Sequence, residues 1–152
     1  MTCWLLEHGV DVNIADGAGE TALMTAAGSS SVELVSLLLS RGADVAAQSK
    51  TGCPALHLAV AQGSLKTVEA LMEAGSDPAV RCLRGTSALH HAAEANRMDS
   101  IAAILKHADA QVVPATDGMG WTALHYAALH QLPESAALLI QACHSSLSGC
   151  MP

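Results

Sequence analysis

The stretch Trp121–Ala128, WTALHYAA, carries two of the three aromatic residues in a chain of 152. Related phrases begin at Gly85 (GTSALHHAA), Gly52 (GCPALHLAV) and Gly19 (GETALMTAA), and Gly120 leads the first phrase in the same way. The intervals between these leading glycines are 33, 33 and 35 residues. A phrase that returns at a nearly fixed period indicates an array of similar structural units.

A second landmark keeps the same period. Gly9, Gly42 and Gly75 each follow a short apolar run and lie 33 residues apart. Because two independent landmarks share one register, the whole chain is predicted to be built from repeats, with two extra residues in the third interval.

Each unit is predicted to contain two short helices and a turn. The first helices are expected at residues 22–27, 55–61, 88–95 and 123–129, and the second at 32–40, 65–73, 98–106 and 133–142. Hydrophobic residues make up 51% of the chain but aromatic residues only 2%, so the core must form by close packing of Leu, Ala, Val and Ile. Helices this short are marginal alone in water and need neighbours.

Start and stop signals stand where these helices need them. A hydroxyl-bearing residue that can cap a helix precedes three of the four first helices, at Thr21, Ser87 and Thr122. Pro54 takes this place in the second unit, so that helix is predicted to lack its side-chain cap. Gly42 and Gly75 end second helices, where a left-handed residue is favoured.

The period and the recurrent A-L-H-x-A phrase resemble those of ankyrin repeats over residues 4–143. The resemblance implies an all-α solenoid of stacked helix pairs, with a β-hairpin projecting at each junction. It divides the chain into a half repeat (1–15), four repeats (about 16–48, 49–81, 82–114 and 117–143) and a disordered tail (144–152). The chain departs from the family phrase by having Ala where Pro is usual, Met24 for the first His, and Ala108 for a helix-ending Gly.

The eight histidines do not indicate catalysis. His57, His90 and His125 occupy the same place in successive repeats, and the resemblance implies a bond to the Ser or Thr three residues earlier. No nucleophile-elbow, phosphate-loop or zinc-protease motif is present. We therefore expect no enzymatic activity, no catalytic residue and no cofactor within this segment.

The spacing of the cysteines does not indicate a metal site. Cys143, His144 and Cys150 offer three soft ligands, but no paired C-x2-C or H-x3-H unit completes a tetrahedral zinc site. Five irregularly spaced cysteines do not form a disulfide framework. No metal site is predicted, and the thiols are expected to be reduced.

Charge and hydropathy restrict the partners. The formal net charge is −7, and residues 1–48 hold six of the 14 acidic residues but only one basic residue. A phosphate backbone needs a basic face, so nucleic acid is not expected as a partner. No apolar run approaches the ~20 residues that span a bilayer, and no signal peptide is evident. A cytoplasmic or nuclear location and a protein partner are the expectation.

The N-terminus begins within what should be a second helix. The apolar run Trp4–Leu6 would then lack the helix that normally covers it. This predicts either a longer parent protein or self-association through the uncapped N-terminal edge.

In ankyrin repeats the partner usually contacts the hairpin tips and the exposed face of the first helices. The resemblance places a set of candidate partner-binding residues there: Lys50, Arg81, Leu83, Arg84, Met119, Trp121 and His130. Trp and Arg are enriched at binding hot spots, which favours Trp121 and Arg84. For Trp121 the alternative is that its ring folds onto the two-residue insertion as local core.

Two alternatives accompany the prediction of a non-catalytic protein-binding scaffold. The chain could be the recruiting segment of a larger kinase or ubiquitin ligase whose catalytic domain lies elsewhere. The run Leu5–Asn13 also resembles the ankyrin site modified by the oxygen-sensing asparaginyl hydroxylase, with Asn13 as acceptor. Asn is, however, a common turn residue.

Overall fold

A computed structural model of the protein describes residues 9–148. Within that range the chain forms eight α-helices and one short 3-10 helix at Ala110–Val112. The first helices of the repeats are α1 (Ala22–Gly28), α3 (Ala55–Gln62), α5 (Ala88–Glu94) and α7 (Ala123–Leu129). The second helices are α2 (Val32–Ser40), α4 (Leu65–Glu73), α6 (Met98–His107) and α8 (Pro133–Ser148).

The helices stack in two rows, which confirms the all-α solenoid. The inner row runs α1, α3, α5, α7, and the outer row runs α2, α4, α6, α8, with each inner helix packed on the outer helix that follows it. The helix boundaries agree with the sequence prediction to within one residue, except at the end of α8. Stacking supplies the neighbours that these short helices require.

The core between the rows is aliphatic and rich in alanine. Ala26, Ala59, Ala92 and Ala127 recur at one place in the four inner helices, and each is buried. Alanine at this place lets adjacent inner helices approach closely, which is how a chain with so few aromatic residues fills its core. No helix in the described part of the chain is long and apolar enough to cross a bilayer.

Left-handed residues end the second helices as predicted. Gly42 has φ 84° and Gly75 has φ 93°. The third repeat ends differently, because α6 is followed by extended Ala108. The segment after it, which contains the two extra residues, turns through the 3-10 helix and buries Val112 and Val113. The insertion therefore adds to the core.

The prediction that residues 144–152 are disordered was wrong for residues 144–148. Helix α8 continues through Ser148, beyond the predicted end at Ala142. No Pro or Gly occurs between Pro133 and Gly149, so nothing in the backbone stops the helix there. Residues 149–152, Cys3 and the uncapped edge around Trp4 lie outside the described residues.

Candidate functional site

Four turns of identical construction precede the inner helices, and we call them fingers 1 to 4: residues 16–20, 49–53, 82–86 and 117–121. In each finger the first residue's N–H bonds the fifth residue's carbonyl oxygen, at 2.8–3.1 Å. The fourth residue is a left-handed glycine in every finger. Among the described residues the accompanying β-structure is limited to two isolated antiparallel bridges, Ala15 with Thr21 and Gln48 with Pro54.

The fingers stack on one another through backbone hydrogen bonds. Lys50 N–H donates to Ala18 O at 3.0 Å, and Leu83 N–H donates to Thr51 O at 2.9 Å. Across the longer third interval, Gly118 N–H donates to Arg84 O at 3.1 Å. Each bond joins the second residue of a finger to the third residue of the preceding one, so the insertion does not disturb the finger register.

The first residue of each finger braces its own turn with its side chain. In finger 1, Asp16 Oδ1 accepts the N–H groups of Ala18 and Glu20 at 2.8 and 2.9 Å. In finger 4, Asp117 Oδ1 likewise accepts two N–H groups, those of the third and fifth finger residues, at 2.8 and 2.9 Å. Ser49 accepts one such bond in finger 2, from Cys53 N–H at 3.3 Å. Finger 3 has Cys82 at this place.

Three of the predicted partner-binding residues are exposed at the tips of fingers 3 and 4. Leu83 is 79% exposed and Met119 is 77% exposed, the two largest values among the exposed large hydrophobic side chains of the described residues. Arg84, between them in the stack, is also exposed. Apolar side chains held out in solvent on rigid turns are typical of a contact surface.

Lys50 and Arg81 are exposed, and the side chain of each is hydrogen-bonded to the backbone of an adjacent repeat. Lys50 Nζ donates to Gly17 O at 2.6 Å, and Arg81 donates to Thr116 O at 2.7 Å. Both therefore bridge adjacent repeats while carrying their positive charge on the finger row.

Trp121 is only partly exposed. Its ring packs edge-on against Tyr126 with centroids 5.7 Å apart, and lies 6.0 Å from the ring of His125. These contacts are within its own repeat. His130 is exposed at the far end of α7, about 10 Å from finger 4 by helix geometry, so it does not join the tip residues.

The repeated histidines connect each inner helix to backbone. The N–H of Ser87 donates to His90 Nδ1 at 3.1 Å, so Nε2 carries the proton and donates to Trp121 O at 3.0 Å. Thr122 and His125 repeat the capping arrangement. Burial lowers the pKa of His90. The predicted pairing is confirmed for both repeats.

The second repeat shows the cost of its proline. Helix α3 has no side-chain cap, as predicted for Pro54. His57 bonds Val80 O through Nε2 at 3.2 Å, but its buried Nδ1 has no hydrogen-bond partner. Burial, with the neighbouring His91 as a second cause, lowers the pKa of His57 to about 4.

Asn13 is exposed, and both the nitrogen and the oxygen of its side-chain amide are hydrogen-bonded. Its Nδ2 donates to Gly42 O at 3.3 Å, and its Oδ1 accepts from Asp44 N–H at 2.8 Å. The side chain thus ties the first described loop to the next repeat. Its hydroxylation stays a prediction.

Two features of the fingers were not foreseen. Tyr126 O–H donates to Asp117 Oδ2 at 2.7 Å, and Cys53 and Cys82 lie close enough for each to affect the pKa of the other's thiol. The alignment of Asp16 with Asp117 could have indicated the carboxylate's bracing role, whereas no spacing rule brings Cys53 to Cys82. Within residues 9–148, no group of three His, Cys, Asp or Glu side chains is placed to hold a metal ion.

A sequence model of the family described as ankyrin repeats (3 copies) matches residues 1–82 and 56–147. The two matches together span nearly the whole chain. No curated protein matches it. Repeats of this family generally serve as protein–protein interaction modules and are typically non-catalytic.

Proposed function

The chain belongs to the ankyrin repeat family, and from that premise we propose that it is a non-catalytic scaffold that binds a partner protein through its finger row. The proposed contact surface is the tip surface, which we define as Leu83, Arg84 and Met119. Lys50 and Arg81 extend it toward fingers 1 and 2, and Trp121 supports it from finger 4.

The exposure of Leu83 and Met119 carries this proposal. Both side chains are more than three-quarters exposed, although they stand on turns braced by hydrogen bonds within and between repeats. A rigid apolar side chain loses little entropy when it is buried by a partner, so it contributes efficiently to affinity. Most residues of α5, the inner helix behind finger 3, are buried and belong to the framework.

The charges near the tip surface indicate the chemistry of the partner. Fingers 2 and 3 contain Lys50 and Arg84 but no acidic residue, and Arg81 immediately precedes finger 3. Arg84 makes no side-chain hydrogen bond to the other described residues. A partner segment with two apolar side chains beside a carboxylate would complement this surface, with the charge steering encounter and register.

The test compares two double variants that each lose one leucine and one positive charge. The first, Leu83→Ser with Arg84→Ser, removes one leucine and one cation from the tip surface. The second, Leu129→Ser with Lys66→Ser, removes one leucine and one cation from exposed places away from the fingers. Both should retain the helical circular dichroism and melting temperature of the wild type.

Partners captured by the wild type from cell extract are identified, purified and titrated against all three proteins. We expect the tip variant to bind at least roughly tenfold more weakly, as for loss of a hot spot, and the control variant to bind like the wild type. Equal affinity for the tip variant and the wild type would contradict the proposed surface.

A further inference from the structure

Two thiols meet where finger 2 stacks on finger 3. Cys53 ends finger 2 and is partly exposed, whereas Cys82 begins finger 3 and is 7% exposed. Each cysteine lies close enough to contribute to the pKa of the other's thiol. The backbones are also in close contact, since a Cβ added to Gly52 would lie 3.2 Å from Cys82 Cα.

Cys82 occupies the position that a carboxylate holds in fingers 1 and 4 and a hydroxyl holds in finger 2. Its equivalents in fingers 1 and 4 are Asp16 and Asp117, whose carboxylates each accept the N–H groups of the third and fifth finger residues. In finger 3 the third and fifth residues are Arg84 and Thr86, and their backbone N–H groups contribute to lowering the pKa of Cys82. Two converging backbone donors stabilise a negative sulfur as they stabilise a carboxylate.

Side chains add to this preference. The hydroxyl of Thr86 lies 2.8 Å from Cys82 Sγ and 3.2 Å from His91 Nε2, so it can accept from the imidazole while donating to sulfur. Burial raises the pKa of Cys82, but the hydrogen bonds from Thr86 and the backbone outweigh it and leave the pKa below its ordinary value. Burial raises the pKa of Cys53, so Cys53 is the thiol of the two that more readily keeps its proton.

We propose that Cys82 and Cys53 form a peroxide-sensitive thiol pair, in which Cys82 is the reacting thiolate and Cys53 the resolving thiol. The Cys82 thiolate attacks one oxygen of hydrogen peroxide and gives sulfenic acid and hydroxide. The Cys53 thiol then attacks the sulfenic sulfur, and the hydroxyl group leaves as water with the Cys53 proton. One disulfide, one water and one hydroxide result from one thiolate, one thiol and one peroxide.

The disulfide would join two fingers that the native state already holds together. It would close a chain segment from residue 53 to residue 82, nearly one repeat long, and so restrict the unfolded state. A thiol reductant would reverse it, as for the transient disulfides of redox-sensing proteins. This inference is independent of the proposed partner binding, since it concerns the chain alone.

The experiment treats the full, reduced chain with limiting hydrogen peroxide and maps all five cysteines by mass spectrometry under non-reducing conditions. Cys143 is the internal reference, because it is partly exposed and no hydrogen bond to its thiol is described. We expect Cys82 to react at least roughly ten times faster than Cys143, and the main product to be a Cys53–Cys82 disulfide. The oxidised chain should melt several degrees higher than the reduced chain.

Two variants separate the roles. Cys53→Ser should stop the reaction at sulfenic acid, so dimedone should label Cys82 in that variant and far less in the wild type. Cys82→Asp restores the residue of fingers 1 and 4, so it should fold normally, while oxidation of its Cys53 should fall to the rate of Cys143. Equal rates for Cys82 and Cys143 in the wild type, or cross-links that bypass the Cys53–Cys82 pair, would overturn the proposal.

Discussion

At the scale of single residues, one phenol joins finger 4 to the helix that follows it. Tyr126 donates its hydroxyl proton to Asp117, whose other carboxylate oxygen braces the finger. Burial, together with this hydrogen bond to a carboxylate, raises the pKa of Tyr126 to about 12. The phenol therefore keeps its proton to a higher pH than a free tyrosine does.

The chain has only one tyrosine, which makes this pKa directly measurable. Ultraviolet titration should show the phenol ionising near pH 12 rather than near 10, provided that circular dichroism shows the chain still folded. In Asp117→Asn the pKa should fall toward its ordinary value, because the phenolate no longer faces a carboxylate. An unchanged titration curve in that variant would mean that burial alone sets the shift.

A second prediction concerns the unpartnered nitrogen of His57. In Pro54→Thr the hydroxyl should cap α3 and approach His57 Nδ1, as Thr122 does with His125. Pro54 already has the extended backbone of the other capping residues, with φ −78° and ψ 169°. The matched variant Pro54→Val has the same shape and removes the same proline, but it offers no hydroxyl.

Urea unfolding should therefore show Pro54→Thr more stable than Pro54→Val by about 1 kcal/mol, the usual value of a helix cap or a neutral hydrogen bond. The comparison cancels the loss of the proline's restraint on the unfolded chain. Equal stabilities would show that His57 Nδ1 gains nothing from a hydroxyl at this place.

At the scale of elements, the fingers pack so closely that a single methyl group is a sensitive probe. Gly85 and Gly120 are both left-handed, with φ 79° and 81°. A Cβ at Gly85 would collide with the backbone nitrogen of Gly118 and lie 3.0 Å from the Asp117 carbonyl carbon. A Cβ at Gly120 would meet nothing within 4 Å.

Replacing either glycine by alanine carries the same conformational strain, about 1–2 kcal/mol. Gly85→Ala should cost at least about 1 kcal/mol more than Gly120→Ala, because fingers 3 and 4 must separate to admit the methyl group. Chemical denaturation of both variants gives this difference. Equal losses in the free energy of unfolding would mean that backbone strain alone determines the effect. Fingers 3 and 4 would then move apart at no cost to admit the methyl group.

The elements themselves were largely predictable, and the exceptions have physical causes. Glycine, proline and hydroxyl residues recur with the 33-residue period, so the ends of most helices follow from local chemistry. The end of α8 did not: Ser145 is still helical, and its hydroxyl bonds Gln141 O at 3.0 Å. The polar composition of residues 144–152 predicted a disordered tail, but residues 144–148 include no Pro or Gly that would stop a helix.

The finger surface was less predictable than the helices. The exposure of Leu83 and Met119 followed from their register, whereas the bridging roles of Lys50 and Arg81 depend on how far each side chain reaches into the next repeat. The packing of Trp121 on Tyr126 likewise depends on side-chain rotamers. Periodicity gives positions along the chain but does not give contacts between neighbouring repeats.

At the scale of the whole molecule, buried neutral histidines make stability depend on pH. Burial lowers the pKa of His90 and His91 as well as that of His57, which lies near 4. Unfolded histidines titrate near 6.5. Between these pH values the unfolded chain binds protons that the folded chain does not bind. The histidines' contribution to the free energy of unfolding is therefore fully present above about pH 6.5 and is lost as the pH falls toward 4.

Urea unfolding across this range should show the free energy of unfolding decreasing with falling pH, and His57 should contribute on the order of 2–3 kcal/mol of the loss. His57→Gln, which keeps a donor for Val80 O, should have a shallower slope because one titrating group is gone. The same slope in wild type and variant would assign the acid sensitivity to His90 and His91.

The connection between α6 and finger 4 absorbs its two extra residues while the bond from Gly118 to Arg84 keeps the spacing of the fingers. The number of residues in this connection can therefore change without changing how the fingers stack. A short peptide grafted beside exposed Gln111 would leave Val112 and Val113 in the core and every finger in register. The joint offers a display position at which a label or a second recognition segment can be carried without redesigning the array.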